Sequence, residues 1–543
     1  MTSTSKSHQS HSVKPRHQRQ SFASAWGPLR EPVFRALWIA AVASNIGTWM
    51  EDVGEAWLMT SLSTSTLMVA LVETAGSLPI VLLAVPSGAF ADIIDRRRLL
   101  LVTQAWMLIV AATLGLLTIA GVTTPWLLLI LAFALGLGAA VNAPAWEAIT
   151  PELVERKDLP AAVTLGAVAF NVARAVGPAL GGLLVAAFGS GPVFLLNAVS
   201  FLGVIFVLYR WRRPVAQSNL PPEHVLGAMR AGVRYVRHTP ALQAVLVRAA
   251  AFILCASALW ALLPLVARRG LGLSAAGYGV LLGCLGLGGV TGASFLPQVR
   301  QKISTDSLVV GATLVFAAVT IVLGYVHIAV LVGGSLFFGG IAWITLLSTF
   351  NVAAQTATAA WVRARVLGVY MLAFFGGFAL GSAMWGWIAG RAGISLTLLI
   401  SAVGLVVGLT TGIRFKLRCG ENLDLTPSSH WPEPKVQAEP EPQAGPVLIT
   451  IEYQIDPGDA DDFTEAAKAA GEIKRRDGAI YWNLFRDTAD KSRFVETFIV
   501  DSWAEHERQH GRLTKADREV EERAQAFHHG ASPPKISHLI AES

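Results

Sequence analysis

From residue 33 to residue 414 the chain is a succession of apolar runs separated by short polar breaks. Twelve runs can be marked, at about 33–60, 67–91, 99–121, 125–149, 161–188, 191–209, 241–267, 275–297, 307–326, 328–350, 366–390 and 394–414. Each has the length that crosses about 30 Å of hydrocarbon as a helix. A helix is the form in which a single segment satisfies its own backbone in lipid. The pattern therefore predicts an all-α polytopic membrane protein with twelve transmembrane helices.

Toward the C-terminal end the pattern changes twice. Residues 419–445 are rich in Pro, Glu and Ser and read as a stiff, extended linker. Residues 446–543 then show short alternating and amphipathic stretches, which predict a small α+β domain. Val447 to Ile455 alternates as a strand and ends at Asp456-Pro457-Gly458, and Phe463 to Arg475 is an amphipathic helix. Ala479 to Arg486 and Arg493 to Val500 are further strands, Ser502 is placed to cap a helix, a last helix covers about 514–527, and Lys535 to Ile540 closes the sheet.

Charge follows the breaks. Residues 1–419 hold 29 Lys and Arg against 13 Asp and Glu, whereas residues 446–543 hold 13 against 19. With the amino terminus inside, the cytoplasmic segments collect 24 of those 29, while Arg268, Arg269 and Arg391 stand in the outer loops. Basic loops are retained on the cytoplasmic side. The asymmetry predicts an even number of crossings of the cell membrane with both termini in the cytoplasm. Residues 1–32, polar and basic and without the apolar core of a cleavable signal, are expected to form a disordered cytoplasmic arm.

The longest internal break, 210–240, divides the spans into two six-helix bundles, 33–209 and 241–418. Arg230, Arg234 and Arg237 fall on a helix-like run within it, expected to lie along an anionic inner leaflet. The halves echo one another. Asn142-Ala-Pro-Ala with Gly177 and Gly181 downstream faces Asn351-Val-Ala-Ala with Gly377 and Gly381. Such a repeat predicts two pseudo-symmetric bundles around a midplane cavity, with the glycines allowing close helix contact.

At 53% hydrophobic and 15% charged residues, the chain is too apolar for a soluble protein of its length. Its net charge of +6 does not call for nucleic acid, because the basic residues sit in short loops where the lipid bilayer is the partner. Cys255, Cys284 and Cys419 make neither a disulfide framework nor a metal spacing, and His528-His529 has no companion ligands. Without a Gly-x-x-x-x-Gly-Lys-Ser/Thr loop, ATP drive is not expected. No metal or cofactor is expected either.

Ionisable residues within the spans are costly and usually functional. Asn45, Trp49, Asp52 and Glu55 recur at spacings of four, three and three, one helical stripe of the first span; Glu73 lies at a similar height in the second and Arg174 near the middle of the fifth. A carboxylate at that depth suits proton uptake and release. Asp52, Glu55, Glu73, Arg174 and Asn45 are the expected coupling and substrate-binding cluster, with a structural Asp52–Arg174 ion pair as the plainer alternative. Glu51 falls on another face of the helix and Glu147 near a span end, so both are weaker candidates.

The break Gly88-Ala-Phe-Ala-Asp92-Ile-Ile-Asp95-Arg96-Arg97-Arg98 resembles the signature loop between helices 2 and 3 of the major facilitator superfamily, matched at Gly88, Asp92, Arg96 and Arg97, with Asp95 where the pattern has glycine. Arg174-Ala-Val-Gly177-Pro178-Ala-Leu-Gly181-Gly182 looks like the Gly-Pro-x-x-Gly-Gly element of that superfamily's antiporters. The arginine that its exporters carry in helix 4 is absent. Together with Gly47-Thr-Trp49, Asn142-Ala-Pro144-Ala-Trp146, Pro151-Glu152-Leu153 and Asn197, residues 30–415 resemble the branch that includes the enterobactin exporter and macrolide efflux proteins. The resemblance implies alternating access, with Gly88, Asp92, Arg96, Arg97, Gly177, Pro178 and Gly181 as conformational gate.

Residues 446–543 resemble the antibiotic biosynthesis monooxygenase-like family of dimeric ferredoxin-like domains, at Pro457-Gly458, Phe463, Gly478, Tyr481, Arg486, Arg493-Phe494-Val495-Glu496, Trp503 and His510. That implies a ferredoxin-like tail whose expected role is dimerisation or ligand sensing rather than catalysis. The expected function is proton-coupled export of small amphipathic organic compounds. The alternative is a membrane-tethered enzyme or sensor whose active module is the tail.

Overall fold

The computed structural model describes residues 26–83, 94–155, 157–211, 225–417, 424–428, 430–431 and 440–542. Gly88, Asp92 and Arg156 lie outside the described residues. The first half comprises α1 (Pro32–Leu62), α2 (Thr66–Leu83), α3 (Arg96–Ile119), α4 (Pro125–Leu153), α5 (Leu159–Phe188) and α6 (Ser190–Arg210). After α7 (Val225–Arg237), the second half comprises α8 (Pro240–Leu265), α9 (Ala275–Arg300), α10 (Thr305–Tyr325), α11 (Ala329–Thr356), α12 (Arg363–Ala392) and α13 (Ile394–Gly408). Among the described residues eleven helices are long and apolar enough to cross a membrane. The 31-residue α1 is as long, but Glu51, Asp52 and Glu55 lower its hydropathy.

Local chemistry sets the helix starts. Asp95 accepts from the Arg98 amide to cap α3, Thr124 from Leu127 to cap α4 ahead of Pro125, and Ser304 from Ser307 to cap α10. Gly189 between α5 and α6 and Gly393 between α12 and α13 both take φ of 83°, where a side chain would be strained. These equivalent one-residue turns make the repeat visible in the backbone.

Packing repeats as well. α1 lies on α5 and α6, α2 on α4, and α3 on α4 and α6; in the second half α8 lies on α12 and α13, α9 on α11, and α10 on α11 and α13. The closest approaches rest on absent side chains. A Cβ added at Gly181 of α5 would sit 2.7 Å from the Met50 Cα of α1, and one at Gly381 of α12 would sit 2.6 Å from the Leu254 carbonyl oxygen of α8. The halves meet through α2 on α12 and α5 on α9, a two-fold exchange.

Their interiors differ in kind. The second half is filled with rings, Phe252, Phe316, Phe350 and Trp343 packing within 6.4 Å of one another between centroids of neighbouring pairs. The first half holds the acidic residues.

Beyond the bundles lies a four-stranded antiparallel sheet of β1 (Val447–Gln454), β2 (Tyr481–Arg486), β3 (Arg493–Val500) and β4 (Lys535–Ile540), in the order β2-β3-β1-β4. α14 (Ala460–Asp477), α15 (Trp503–Arg512) and α16 (Lys515–Gln525) accompany it. Val447, Ile449, Ile451 and Tyr453 of β1 point into the tail core with Phe463 and Phe498. Tyr481, Phe485 and Leu539 are exposed.

One expectation is corrected in part. Arg234 of α7 faces the tail rather than a lipid surface, while Arg230 and Arg237 are exposed: Tyr235 is buried, Arg234 pairs with Glu505 at 3.3 Å, and His238 meets Glu472 at 2.8 Å. Arg512 of the tail stacks over Trp361, in the turn before α12, at 4.6 Å, and Arg476 stacks over Tyr235 at 5.0 Å.

Candidate functional site

Three turns of α1 carry Ser44, Thr48, Glu51 and Glu55 at spacings of four, three and four, a face directed into the first half. With Gln104 of α3, Asn142 and Trp146 of α4 and Phe201 of α6 they enclose a cavity of about 330 Å3, to which Asn45 and Asp52 also contribute. Glu51 is buried and accepts a short hydrogen bond from the Asn197 amide nitrogen of α6. Its other oxygen is buried without a partner, as is one oxygen of Glu55. Gln104 Nε2 and Thr103 Oγ1 donate to Asn142 Oδ1 at 3.2 and 3.0 Å, leaving Gln104 Oε1 without a donor.

Asp52 is exposed on the flank of α1 and Glu73 half-buried on α2. Arg174 stands apart from these acids. Its guanidinium lies over the Trp49 ring at 5.9 Å and its Nε has no hydrogen-bond partner. Among the described residues no Asp52–Arg174 ion pair forms, because α1 turns Trp49, not Asp52, toward α5. The expected cluster is thus divided: Asn45, Asp52 and Glu55 line the cavity, Glu73 neighbours them, and Arg174 sits where α5 meets α9, its carbonyl oxygen facing Gly286.

Glu51 is the residue that the stripe through Asn45, Trp49 and Asp52 passes over. The Ser44, Thr48, Glu51 and Glu55 series, equally regular, is the one that turns inward. Gln104 carries no sequence signal of its own.

The arginines of the expected gate act within the first half. Arg96 pairs with Glu152 at 2.8 Å and donates to the Ala148 carbonyl, and Arg97 donates to the Leu208 and Tyr209 carbonyls at 2.7 Å each. They fasten α3 to the ends of α4 and α6. Gly177 and Gly181 face Trp49 and Met50 of α1, while the Pro178 carbonyl faces Gly279 of α9.

Contacts between the halves lie away from α7. Thr66 donates to the Gly386 carbonyl at 2.7 Å and Thr74 to the Ala379 carbonyl at 2.9 Å. Arg268 donates to Thr60 at 2.9 Å and lies over Trp57, which stacks on Tyr278 at 6.0 Å. At this end side chains from both halves bond and pack against one another.

In the tail, Glu496 is buried and accepts from Lys474 Nζ and Trp482 Nε1 at 2.6 Å each and from the Tyr453 hydroxyl at 3.1 Å. That network is satisfied and holds the core. Burial, with His538 and His510 nearby, lowers His506 to about 4. His528 takes the Gln454 amide on Nδ1 and bonds the Ser532 carbonyl through Nε2, as a clasp for the end of β1.

The family described as "Transmembrane secretion effector" matches residues 23–543. The staphyloferrin A transporter of Staphylococcus aureus is 30% identical over 165 residues, which is 30% of this chain and 42% of that protein. The multidrug efflux pump Tap of Mycolicibacterium fortuitum is 25% identical over 392 residues, 70% of this chain and 95% of the pump. The enterobactin exporter EntS of Citrobacter koseri is 26% identical over 396 residues, 72% of this chain and 92% of the exporter. A solved bacterial homologue of the human lysosomal transporter Spinster, inward-facing and unoccupied, superposes with a TM-score of 0.57 at 14% identity, covering 72% of this chain and 98% of that one. Paired six-helix halves, a cavity beside the first helix and a family match running nearly the whole length agree: the chain belongs to the transmembrane secretion effector family and is a multi-pass transporter of the major facilitator superfamily.

Proposed function

We propose that this transporter exports small amphipathic organic compounds from the cytoplasm across the cell membrane in exchange for protons. The observation that carries this reading is the set of carboxylates of α1, Glu51, Asp52 and Glu55, lining a cavity that takes no basic side chain from among the described residues. Relatives named as siderophore and multidrug exporters supply the direction. In this reading α1 is the twelfth span and both termini are cytoplasmic. Asp52 and Glu55, with Glu73 beside them, take up the proton, Asn45 contacts the cargo, and Arg174 orients it at the α5–α9 contact. Gly88, Asp92, Arg96 and Arg97 form the inner gate, and Gly177, Pro178 and Gly181 form the pivot between α5, α1 and α9. Rocking of the halves about this contact alternates access.

The tail, in the same reading, is a ferredoxin-like module that pairs two copies through its exposed sheet face and senses ligand. Its seat on α7 and Trp361 favours sensing over a separate enzymatic role.

Proton movement in inside-out vesicles tests the transport reading. Addition of hydrophobic drugs or catecholate siderophores is expected to dissipate an imposed pH gradient with the wild type and not with Asp52→Asn or Glu55→Gln. Gradient collapse that persists in both variants sinks the assignment of the coupling site. A wild type that moves no protons with any compound sinks proton-coupled export.

A further inference from the structure

The first-half cavity also specifies a chemical class of cargo, an inference that rests on the transport reading above. Glu51, Glu55 and Gln104 are 4%, 7% and 4% exposed. Each has one buried oxygen that no donor reaches, and all three line the same cavity. Buried acceptors without donors are costly and rare in folded proteins. Three beside one cavity form a set that a ligand with N–H donors would complete.

Charge points the same way. Asp52 adds a third carboxylate to the lining, while among the described residues no Lys, Arg or His takes part in it. Asn197 already holds one oxygen of Glu51, so the free oxygen keeps a fixed aim. Glu51 and Glu55 lie one helical turn apart on the same face, a spacing at which their carboxylates can share one ligand. Met107, Leu135, Trp146 and Phe201 supply an apolar wall. At about 330 Å3 the space is that of a small organic molecule.

We propose that the cavity binds an organic cation with N–H donors, a protonated amine on an apolar body, whose ammonium group is taken by Glu51 and Glu55 while Gln104 accepts a further hydrogen bond. An ammonium offers three donors and no acceptor, which matches the three lining oxygens left without a donor. A neutral amide of the same shape brings one donor and no charge.

Equilibrium binding to the full-length protein in lipid nanodiscs, at neutral pH and without any gradient, tests this. The probes are dansylcadaverine, its N-acetyl derivative and tetraphenylphosphonium, a cation without donors. The amine is expected to bind about tenfold more tightly than either of the others, the worth of one charge-assisted hydrogen bond. Glu51→Gln and Glu55→Gln should each bring that preference to about threefold or less while binding of the N-acetyl derivative is retained, which also shows that the variants are folded. Gln104→Leu should weaken the amine alone. Equal binding of amine and amide, equal binding of tetraphenylphosphonium and the amine, or a preference that survives both glutamate substitutions overturns the proposal. Because the assay needs neither gradient nor sidedness, its outcome is separate from that of the vesicle experiment.

Discussion

Asn197 of α6 donates to Glu51 of α1, joining a buried amide to a buried carboxylate inside the first bundle. The amide cannot turn over without loss, because the carboxylate only accepts and turning would set Asn197 Oδ1 against it; Ser200 Oγ lies 3.0 Å from Asn197 Oδ1 and 2.7 Å from the Asn197 carbonyl oxygen. The carboxylate itself thus decides which end of Asn197 it meets, since the serine hydroxyl can donate or accept. The pair also binds α1 to α6 at the level of the cavity.

Asn197→Ala leaves that carboxylate without its donor, at a cost of about 1–3 kcal/mol. Thermal unfolding in detergent should show a lower midpoint. Asn197→Asp, which sets two carboxylates face to face, should be worse than alanine at neutral pH. An aspartate variant as stable as the wild type would mean that the pair contributes little.

Close helix contact gives a second prediction. Gly181→Ala and Gly381→Ala each put a Cβ within 2.7 Å of a neighbouring backbone, at Met50 and Leu254. Each should cost about 1–3 kcal/mol, the range for overpacking a tight interior. Gly76→Ala serves as the control, since nothing lies within 4 Å of its added Cβ. Unfolding of the three variants should separate the control from the other two.

Trp361→Ala should loosen the tail from the bundle. It removes the ring on which Arg512 stacks at 4.6 Å and against which Tyr235 packs edge-on at 5.8 Å. The loss is about 2 kcal/mol from cation–π and aromatic contact together. Hydrogen exchange should speed up in α7 and at the α15 face of the tail while the sheet stays protected. Faster exchange throughout the sheet would show instead that the tail needs the bundle in order to fold.

Acid should weaken the tail through His506. Burial holds its folded value at about 4 against an ordinary 6.5. Between those values the unfolded tail carries a proton on His506 that the folded tail lacks. Stability therefore rises with pH across that window and levels off above it, by up to about 3 kcal/mol from this group. His510 and His538 face the ring, so the informative quantity is the difference from His506→Gln. Denaturant unfolding of both proteins from pH 7 downward should converge as acid is added; parallel curves would assign the acid sensitivity elsewhere.

Much of the architecture was legible because lipid and the sheet impose simple periods. The Pro125, Pro240 and Ile394 helix starts fall within a residue of the apolar boundaries, and Arg493–Val500 and Lys535–Ile540 stand where alternation places them. α1 defeats an apolarity criterion for the reason that makes it interesting, its three acids. The site was less legible. Two polar stripes overlap on α1, and periodicity cannot say which faces α6; only Asn197, 146 residues away, settles that Glu51 does. Docking of α7 was invisible for the same reason: Arg234 on an amphipathic helix suits a lipid surface and a Glu505 alike.

α12 begins two residues after the tryptophan on which the tail rests, and its far end receives the Thr66 hydroxyl at the side where the two halves bond. The helix from Arg363 to Gly386 forms a strut of about 35 Å between those points. In the proposed alternating-access reading, opening of that side tilts or slides the strut, and whatever is seated at its near end travels with it. A reporter dye on the soluble sheet would then register each turnover without touching the cargo path.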